Sequence, residues 1–375
     1  SILSGKAAEL NQKAVDNGLV RENGAFKIIK GEQGIEVSVE DSIAAIENYI
    51  SSEWDGGNAE IELVAEVVEP RGSEEDLEQI TDMMGSYTTN YKDSGQNRCD
   101  NISNATSKIN GTLLYPGEEF SVYEAIGPLD AANGYELAGA YENGQTVESY
   151  GGGVCQVSTT LYNAVILAEL EITQRSNHSM IVSYVKPSMD AAIAGDYKDL
   201  RFVNNQDIPI YIEGYTEGKN VTFKIYGHDT RPSNRVVTYE SEVVSEQDPG
   251  TQYVATGDPA GYMKTAQGKH IGYVARLWKV VTVDGVEESR EIFNKSTYKA
   301  SPKIVNVGTA SADPNVSAVI GAALATGDEA TINAAVAPYA ASAAAILNPA
   351  PVEQPSQEEQ AITGTVDESQ ITGGE

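Results

Sequence analysis

The chain has 375 residues and a formal net charge of -30, from 25 Lys and Arg against 55 Asp and Glu. This length exceeds what one hydrophobic core ordinarily holds, so we expect two to four domains. Nucleic-acid-binding proteins present a basic patch or stripe to phosphates, so the acidic balance argues against that class. The sequence also lacks the roughly 18 to 20 consecutive apolar residues that a membrane span requires.

Residues 1–92 alternate between helical and strand patterns. "SVEDSIAAIENYISSEW" begins with a capping pattern at Ser38 and then carries apolar residues at helical spacing. "AEIELVAEVVEP" alternates as a strand that Pro70 stops, and "SEEDLEQITDMMGSYTTNY" predicts a short helix that ends at Gly85. This order predicts a small α+β domain in which no residue pattern points to chemistry.

Residues 93–232 predict a second α+β domain. A helix is expected over Asn101 to Ile109, followed by two strands around a Pro-Gly turn in "TLLYPGEEFSVYEAIG". Apolar residues recur at helical spacing after the run of three glycines at 151–153. Four later segments predict strands, namely "MIVSYV", "DLRFVNN", "PIYIEGYTEG" and "NVTFKIYG".

The rest of the chain divides into two compositions. Residues 233–309 contain alternating strands and a hairpin signal in "VDGVEE", which predicts an all-β module. Residues 310–375 contain no Lys or Arg and are rich in Ala, then in Pro, Gln and Glu. Such a composition buries little apolar surface, so we expect a disordered, Ala-rich acidic tail with at most a transient helix. The predicted fold class is therefore α+β and multidomain, with an all-β C-terminal module.

The stretch "SYGGGVCQVSTTLYNA" places Cys155 where the glycine run meets a predicted helix. A helix N-terminus stabilises a thiolate through its unpaired amides and its dipole, so Cys155 is a candidate nucleophile. Gly152 and Gly153 let the backbone approach a substrate oxygen, so amides here are candidates for an oxyanion site. Glycines also occur in turns without any function.

His178 follows Cys155 by 23 residues, far enough for the helix to end and the chain to return beside its start. An imidazole can take the thiol proton and later protonate a leaving amine. Asp190, Asp196 and Asp199 are candidates to orient the ring, and the sequence does not choose among them. A single histidine between Asn and Ser is also typical of a strand edge.

Further residues are candidates for substrate binding. Arg98 and Arg175 match carboxylates because guanidinium binds them bidentately, although a surface salt bridge is the more common role. Gln156 and Ser158, beside the cysteine, are further candidates. Cys99 can pair with Cys155 only if the two lie close together, and a buried small residue is the more common role. The three histidines are scattered, so we expect no metal site and no cofactor.

Two segments resemble known families. "NRCDNISNATSKINGTLLYPGEEFSVYEAIGP", "GGGVCQVSTTLYNAVILAELEITQRSNHS" and "DLRFVNNQDIPIYI" resemble the VanW domain family over about residues 93–230. The segment from "VVTYESEVV" to "YKASPKIVNVG" is similar to the five-glycine module of exported bacterial surface proteins. Residues 1–92 resemble the peptidoglycan-binding domain that often precedes VanW domains.

These resemblances imply an extracellular protein at the wall of a Gram-positive bacterium, tethered by an N-terminal membrane helix that this sequence does not include. They imply L,D-transpeptidase activity that forms 3-3 crosslinks between peptidoglycan stem peptides. Cys155 is then the nucleophile and His178 the histidine. Two departures are that familiar L,D-transpeptidases carry their histidine before the cysteine, and that Gln156 stands where they have a basic residue.

Two other functions remain open from the sequence. Cysteine-then-histidine order also fits NlpC-like endopeptidases, in which water replaces the acceptor amine. A non-catalytic protein that binds wall peptides and glycan, or acts in adhesion, is the alternative from a different class. Peptidoglycan is the expected partner in each case.

Overall fold

A computed structural model describes residues 2–142, 145–195 and 197–347. The chain divides into two compact units, of which the first comprises residues 1–249 and 269–302. The second comprises residues 250–268 and the chain from residue 303 onward.

Helices and strands alternate through most of the described chain. Within those residues the helices α1 to α9 are Ile2–Leu10, Val39–Ser52, Glu74–Glu78, Gln96–Ile109, Val122–Ile126, Val154–Leu167, Pro314–Thr326, Glu329–Val336 and Ala340–Leu347. The strands β1 to β19 are Gly18–Glu22, Ala25–Ile29, Gly34–Val37, Ala65–Val68, Asp82–Asn90, Thr112–Leu114, Glu119–Ser121, Leu137–Glu142, Gln145–Tyr150, Glu171–Gln174, Arg201–Val203, Ile210–Glu217, Asn220–Gly227, Arg235–Gln247, Thr251–Pro259, Met263–Gln267, Gly272–Val283, Val286–Tyr298 and Lys303–Ala310.

The first 80 residues form two small antiparallel pairs, β1 with β2 and β3 with β4. Ser38 caps α2 as its sequence predicts, because its hydroxyl accepts the Asp41 amide at 3.2 Å. The prediction of a helix that ends at Gly85 is wrong for the residues after α3. Residues 82–90 form β5, which pairs antiparallel with β13, and pairing with a distant strand here outweighs local helical spacing. The predicted boundary at residue 92 therefore follows a strand that belongs to the next sheet.

The central sheet has the order β5-β13-β12-β6, and helices α4 and α6 cover it. Helix α6 is buried on nearly every side: Val157, Leu161 and Val165 are fully buried in the core, and its polar side chains are buried as well. A second sheet has the order β10-β11-β7. The strand predicted for "MIVSYV" is wrong, because residues 180–185 form irregular chain. This loop instead lines the cleft described below.

The antiparallel sheet β14-β17-β18 belongs to the same unit and packs against the central core. Leu277 on β17 is fully buried in that core, and Tyr239 and Phe293 pack against it from β14 and β18. All-β structure after residue 233 agrees with the sequence prediction. Its packing on the preceding domain was not predicted.

The second unit has a sheet of order β15-β19-β16 and the helices α7 to α9. The predicted disorder from residue 310 is wrong for residues 314–347. Ile320, Ile332 and Val336 are buried against Val307 of β19, which supplies the apolar partner that local composition does not reveal. Residues 348–375 of the predicted tail lie outside the described residues.

One helical run in the described chain, Glu329–Leu347, is long and apolar enough to cross a membrane by length and composition. Its mean hydropathy is 1.4 and 17% of it is buried. Core helices of soluble proteins pass the same test, and three of its residues, Ile332, Val336 and Ala343, are buried in the protein.

Candidate active site

The glycine run shapes the N-terminus of α6. Gly151 and Gly153 have φ of 76° and 115°, a left-handed conformation that favours glycine. A Cβ on Gly152 would lie 2.6 Å from the carbonyl oxygen of Ala138, so no larger residue fits there. The glycines therefore let the chain turn tightly into α6, whose second residue is Cys155.

Cys155 lies against the loop that follows residue 188. Its Sγ is 3.4 Å from both the amide nitrogen and the carbonyl oxygen of Ile193. The thiol can donate to the carbonyl, and the thiolate can accept the amide N–H. Cys155 and Cys99 are both free thiols in this structure.

His178 is fixed by Asp190. Its Nδ1 donates to Asp190 Oδ2 at 2.6 Å, and its backbone N–H donates to the same oxygen at 2.7 Å. The Asp190 side chain is only 1% exposed. Because Nδ1 is occupied, Nε2 is the ring nitrogen available to Cys155.

The pKa values of the three groups show that their charges support each other. Burial lowers the pKa of His178, but hydrogen bonds to Asp190 and Cys155 outweigh it and raise the pKa to about 9. Burial raises the pKa of Cys155, but the hydrogen bond and charge of His178 lower it below its ordinary value. The pKa of Asp190 is likewise lowered, since His178 and Arg175 outweigh its burial. The surroundings thus favour a thiolate beside an imidazolium.

The polar face of α6 holds the loop that carries Asp190. Ser158 Oγ and Thr159 Oγ1 both donate to the carbonyl of Ala191, at 2.5 and 3.2 Å, and Asn163 Nδ2 donates to the carbonyl of Met189 at 2.8 Å. Ser158 is fully buried, so its predicted role in substrate binding is wrong. These residues place Asp190 beside the start of α6, and the polar residues in "STTLYN" were the sequence signal for it.

Arg98 projects beside the glycine run, with its Cγ within 3.0 Å of where a Cβ on Gly153 would stand. Its guanidinium donates to Ser94 Oγ at 2.7 Å and to Gln156 Oε1 at 2.8 Å. Gln156 is buried and donates to the Thr89 hydroxyl and the Asn90 carbonyl, both at 3.0 Å. Gln156 therefore orients Arg98, which forms no ion pair with any described residue.

Two other predicted site residues are engaged with partners inside the protein. The Arg175 side chain is 8% exposed. Its guanidinium donates to the backbone carbonyl of Asp190 at 2.7 Å and to Asp190 Oδ1 at 3.1 Å, so it holds Asp190 and not a substrate. Asp199 does not contact His178. Its carboxylate accepts the amides of Tyr123 and Leu200 at 2.9 and 2.8 Å and a hydroxyl at the start of α5, which makes it a structural group. Asp196 lies outside the described residues.

The predicted oxyanion amides are only partly available. The Gly152 N–H already donates to the Ser149 carbonyl at 3.3 Å, so that part of the prediction is wrong. The N–H groups of Val154 and Gln156 donate to Gly151 and Gly153. Cys155 N–H lies in the first turn and has no acceptor within the helix, so an oxyanion role for Gly153 and Cys155 stays a prediction.

A cleft of about 790 Å³ opens over Cys155 and His178. Its described lining residues include three cations, Arg98, Lys198 and Lys299, and no Asp or Glu. Apolar side chains form other parts of its wall, among them Leu129, Met180, Val182 and Tyr184. The positive charge of this lining, on a chain of net charge -30, favours an anionic ligand.

A second cleft of about 1260 Å³ adjoins the first and shares Arg98, Gln156 and Tyr184 with it. Among the described residues, these clefts included, no group of three or more His, Cys, Asp or Glu side chains is arranged to hold a metal ion. The chemistry that these residues can perform directly is acid–base and nucleophilic.

Comparisons with known proteins agree with two of the regions above. The family model described as VanW like protein matches residues 97–226, and the G5 domain model matches residues 238–310. A solved structure of the IgA1 protease G5 domain is 24% identical and covers 20% of this chain and 94% of its own, with a TM-score of 0.15.

Two relatives are similar to part of this chain. An uncharacterized protein, YoaR, of Bacillus subtilis (strain 168) is 32% identical over 214 residues, which are 57% of this chain and 69% of that protein. The vancomycin B-type resistance protein VanW of Enterococcus faecalis is 30% identical over 118 residues, 30% of this chain and 42% of that protein. The chain therefore belongs to the VanW-like family and carries a G5 domain at its C-terminal side.

Proposed function

We propose that this protein is a cysteine-dependent acyltransferase of the bacterial cell wall, an L,D-transpeptidase that forms 3-3 crosslinks between peptidoglycan stem peptides. The observation that carries the proposal is the contiguous set of Cys155, His178 and Asp190 at the base of a cationic cleft. Nucleophile, base and orienting carboxylate are the three parts of a nucleophilic acyl-transfer site.

The first half of the reaction forms a thioester. His178 Nε2 holds the proton of Cys155, and the thiolate attacks the carbonyl carbon of the third stem residue. The carbonyl oxygen becomes an oxyanion, for which the Cys155 N–H is the proposed donor. When the tetrahedral intermediate collapses, the bond to the terminal D-Ala breaks and His178 gives its proton to the leaving amine.

The second half returns the enzyme to its starting state. A side-chain amine of a neighbouring stem attacks the thioester carbonyl, loses a proton to His178 and forms the new amide. The sulfur then leaves as thiolate beside the imidazolium. Two peptides must be present together, and the two adjoining clefts offer room on either side of the shared Arg98.

The position of Arg98 favours a substrate whose terminal carboxylate lies close to the bond that is broken. In a tetrapeptide stem the terminal carboxylate lies one residue beyond the attacked carbonyl. Arg98 stands beside Cys155, is held by Gln156 and pairs with no described carboxylate, so it is free to bind such a group.

Purified muropeptides with tetrapeptide stems test the proposal. Wild type should release D-Ala and yield 3-3 crosslinked dimers, whereas Cys155→Ser should yield neither and Cys99→Ser should behave as wild type. Release of D-Ala without dimers would identify hydrolysis, and cleavage of existing crosslinks would identify an endopeptidase.

A non-catalytic wall-binding protein is the second candidate, because G5 domains are associated with cell-wall or glycan binding. It predicts that wild type and Cys155→Ser bind purified sacculi equally and that both leave the muropeptides unchanged. That pair of results would overturn the acyltransferase proposal.

A further inference from the structure

The C-terminal end of β18 reaches the buried side of Asp190. Tyr298, the last residue of this strand, is 2% exposed, and its hydroxyl donates to Asp190 Oδ1. The same hydroxyl accepts the Ser188 N–H at 2.7 Å. Tyr298 lies within the residues matched by the G5 domain model, whereas Asp190 lies within those matched by the VanW model.

Ser296 lies two residues earlier on the same face of the strand and is also buried. Its hydroxyl accepts from Arg175 Nη1 at 2.9 Å. Arg175 in turn donates to Asp190 Oδ1 at 3.1 Å. Asp190 Oδ1 thus accepts from two donors, the Tyr298 hydroxyl of β18 and the Arg175 guanidinium that Ser296 of β18 supports. Oδ2 is left to accept both N–H groups of His178.

The chain around His178 is tied to the same strand. Asn177 Nδ2 donates to the Thr297 carbonyl at 2.9 Å, and the Lys299 N–H donates to the Ser179 carbonyl at 2.7 Å. The two residues that flank His178 in the chain, Asn177 and Ser179, are therefore both hydrogen-bonded to the chain at the end of β18. Its ring is held through Asp190, and its backbone is held through the strand.

We propose that Tyr298 and Ser296 are positioning residues for Asp190, so that the G5 module completes the reactive site of the VanW-like domain. The inference rests on the proposed function only in taking Cys155 as the reactive group. A catalytic carboxylate must keep one orientation to fix its histidine, and misplacement of about 1 Å costs about 100-fold in rate. The strand supplies that constraint from outside the domain that carries Cys155.

Alkylation of Cys155 by iodoacetamide across a range of pH tests the proposal without any wall substrate. In a Cys99→Ser background, Tyr298→Phe should move the midpoint of the alkylation profile to higher pH and lower the rate at pH 7 by about tenfold. Tyr239→Phe is the matched control, since this partly buried tyrosine of β14 donates to the carbonyl of Ile166 at 2.9 Å and does not touch Asp190.

Two further variants separate positioning from folding. Tyr298→Phe combined with Asp190→Asn should react no more slowly than Asp190→Asn alone, because the hydroxyl acts only through that carboxylate. Ser296→Ala should give a smaller shift in the same direction. Equal alkylation profiles for Tyr298→Phe and Tyr239→Phe, or additive losses in the double variant, would overturn the proposal.

The outcome is distinguishable from failure of the acyltransferase proposal. If Tyr298→Phe shifts the alkylation profile while no muropeptide is ever crosslinked, the positioning role stands and the proposed reaction falls. If crosslinking occurs and depends on Cys155, yet the Tyr298 hydroxyl leaves reactivity unchanged, only the positioning role falls.

Discussion

The two ends of α6 each meet the sheet β14-β17-β18 through a carboxylate, partly buried at the C-terminal end and buried at the N-terminal end, and the two have different chemistry. Beyond the C-terminal end, Glu169 accepts from Arg235 at 2.5 and 2.9 Å and pairs with Lys279 at 2.8 Å and Arg231 at 3.5 Å. At the N-terminal end, the carboxylate of Asp190 shares its partners between Arg175, Tyr298 and His178.

The difference between these ends lies in one titratable partner. Burial raises the pKa of Glu169, but hydrogen bonds and charges from Arg235 and Lys279 outweigh it, so that this pKa falls to about 2. His178 instead can lose its proton and faces Cys155 in an open cleft. A saturated ion cluster stabilises the fold, whereas a carboxylate paired with a histidine beside a thiol supports proton transfer.

Cys155→Ser should have the largest effect at the N-terminal end. We expect crosslinking of muropeptides to fall by about a million-fold, because removing a nucleophile leaves only binding and oxyanion contributions. The replacement is nearly isosteric, so the unfolding temperature should change little. Mass spectrometry of the products and thermal unfolding measure the two effects. If the variant retained a tenth of the activity, Cys155 could not be the nucleophile.

Asp190→Asn should lower the rate of acyl transfer by about 10,000-fold, as loss of a histidine-orienting carboxylate does elsewhere. The amide oxygen can still accept from Arg175 and Tyr298, so we expect the fold to persist. Single-turnover kinetics with a muropeptide donor measure the rate. Asp199→Asn is the control, since Asp199 is equally buried but does not contact His178. Similar losses in both variants would show that burial, and not orientation of His178, explains the effect.

Glu169→Gln should destabilise the protein without lowering the activity of folded molecules. The pKa of Glu169 falls from 4.5 to about 2 on folding, which corresponds to about 3 kcal/mol of unfolding free energy. Because the folded pKa is depressed, this stability is present above pH 4.5 and is lost as the pH falls toward 2. Urea unfolding of both proteins between pH 3 and 7 measures it. A stability difference that stays constant with pH would contradict the assignment.

The sequence predicts the residues at the N-terminal end of α6 better than their surroundings. The glycine run, the helix and the return of His178 follow from local patterns at 151–178. The sequence did not distinguish Asp190 from Asp199, because the choice depends on how the loop at 189–193 lies along α6. That position is set by tertiary hydrogen bonds from Ser158 and Asn163.

The packing of the C-terminal sheet and the presence of the helices after it could not be predicted from local sequence, for a related reason. Strand alternation predicted β structure from residue 233, but no local signal showed that Tyr298 and Ser296 would face Asp190. The Ala-rich segment from residue 314 was predicted to be disordered because its own composition offers little apolar surface. Its apolar partner is β19, which lies outside that segment. Contacts between distant segments decide both cases, and single-sequence patterns do not record them.

The smallest expected effect is the pH dependence of stability contributed by Cys155 and His178 together. The pKa of His178 rises from 6.5 to about 9 on folding, so its stability is complete below pH 6.5 and is lost as the pH rises through 9. The pKa of Cys155 is lowered, so its contribution is present above its ordinary value of 9.0 and is lost as the pH falls. The two contributions oppose each other between pH 6.5 and 9.

We therefore expect the unfolding free energy of wild type to change less between pH 6.5 and 9 than that of Cys155→Ser, because the proton uptake of His178 on folding is offset by the proton release of Cys155. Cys155→Ser removes the opposing contribution, and Asp190 still raises the pKa of His178, so the variant should lose stability as the pH rises across this window. Urea unfolding at four pH values measures both slopes, with Cys99→Ser as the control that keeps the wild-type slope. A steeper decline in wild type than in Cys155→Ser would show that the folded protein does not hold a thiolate beside an imidazolium, and the N-terminal end of α6 would then be as purely structural as the cluster around Glu169.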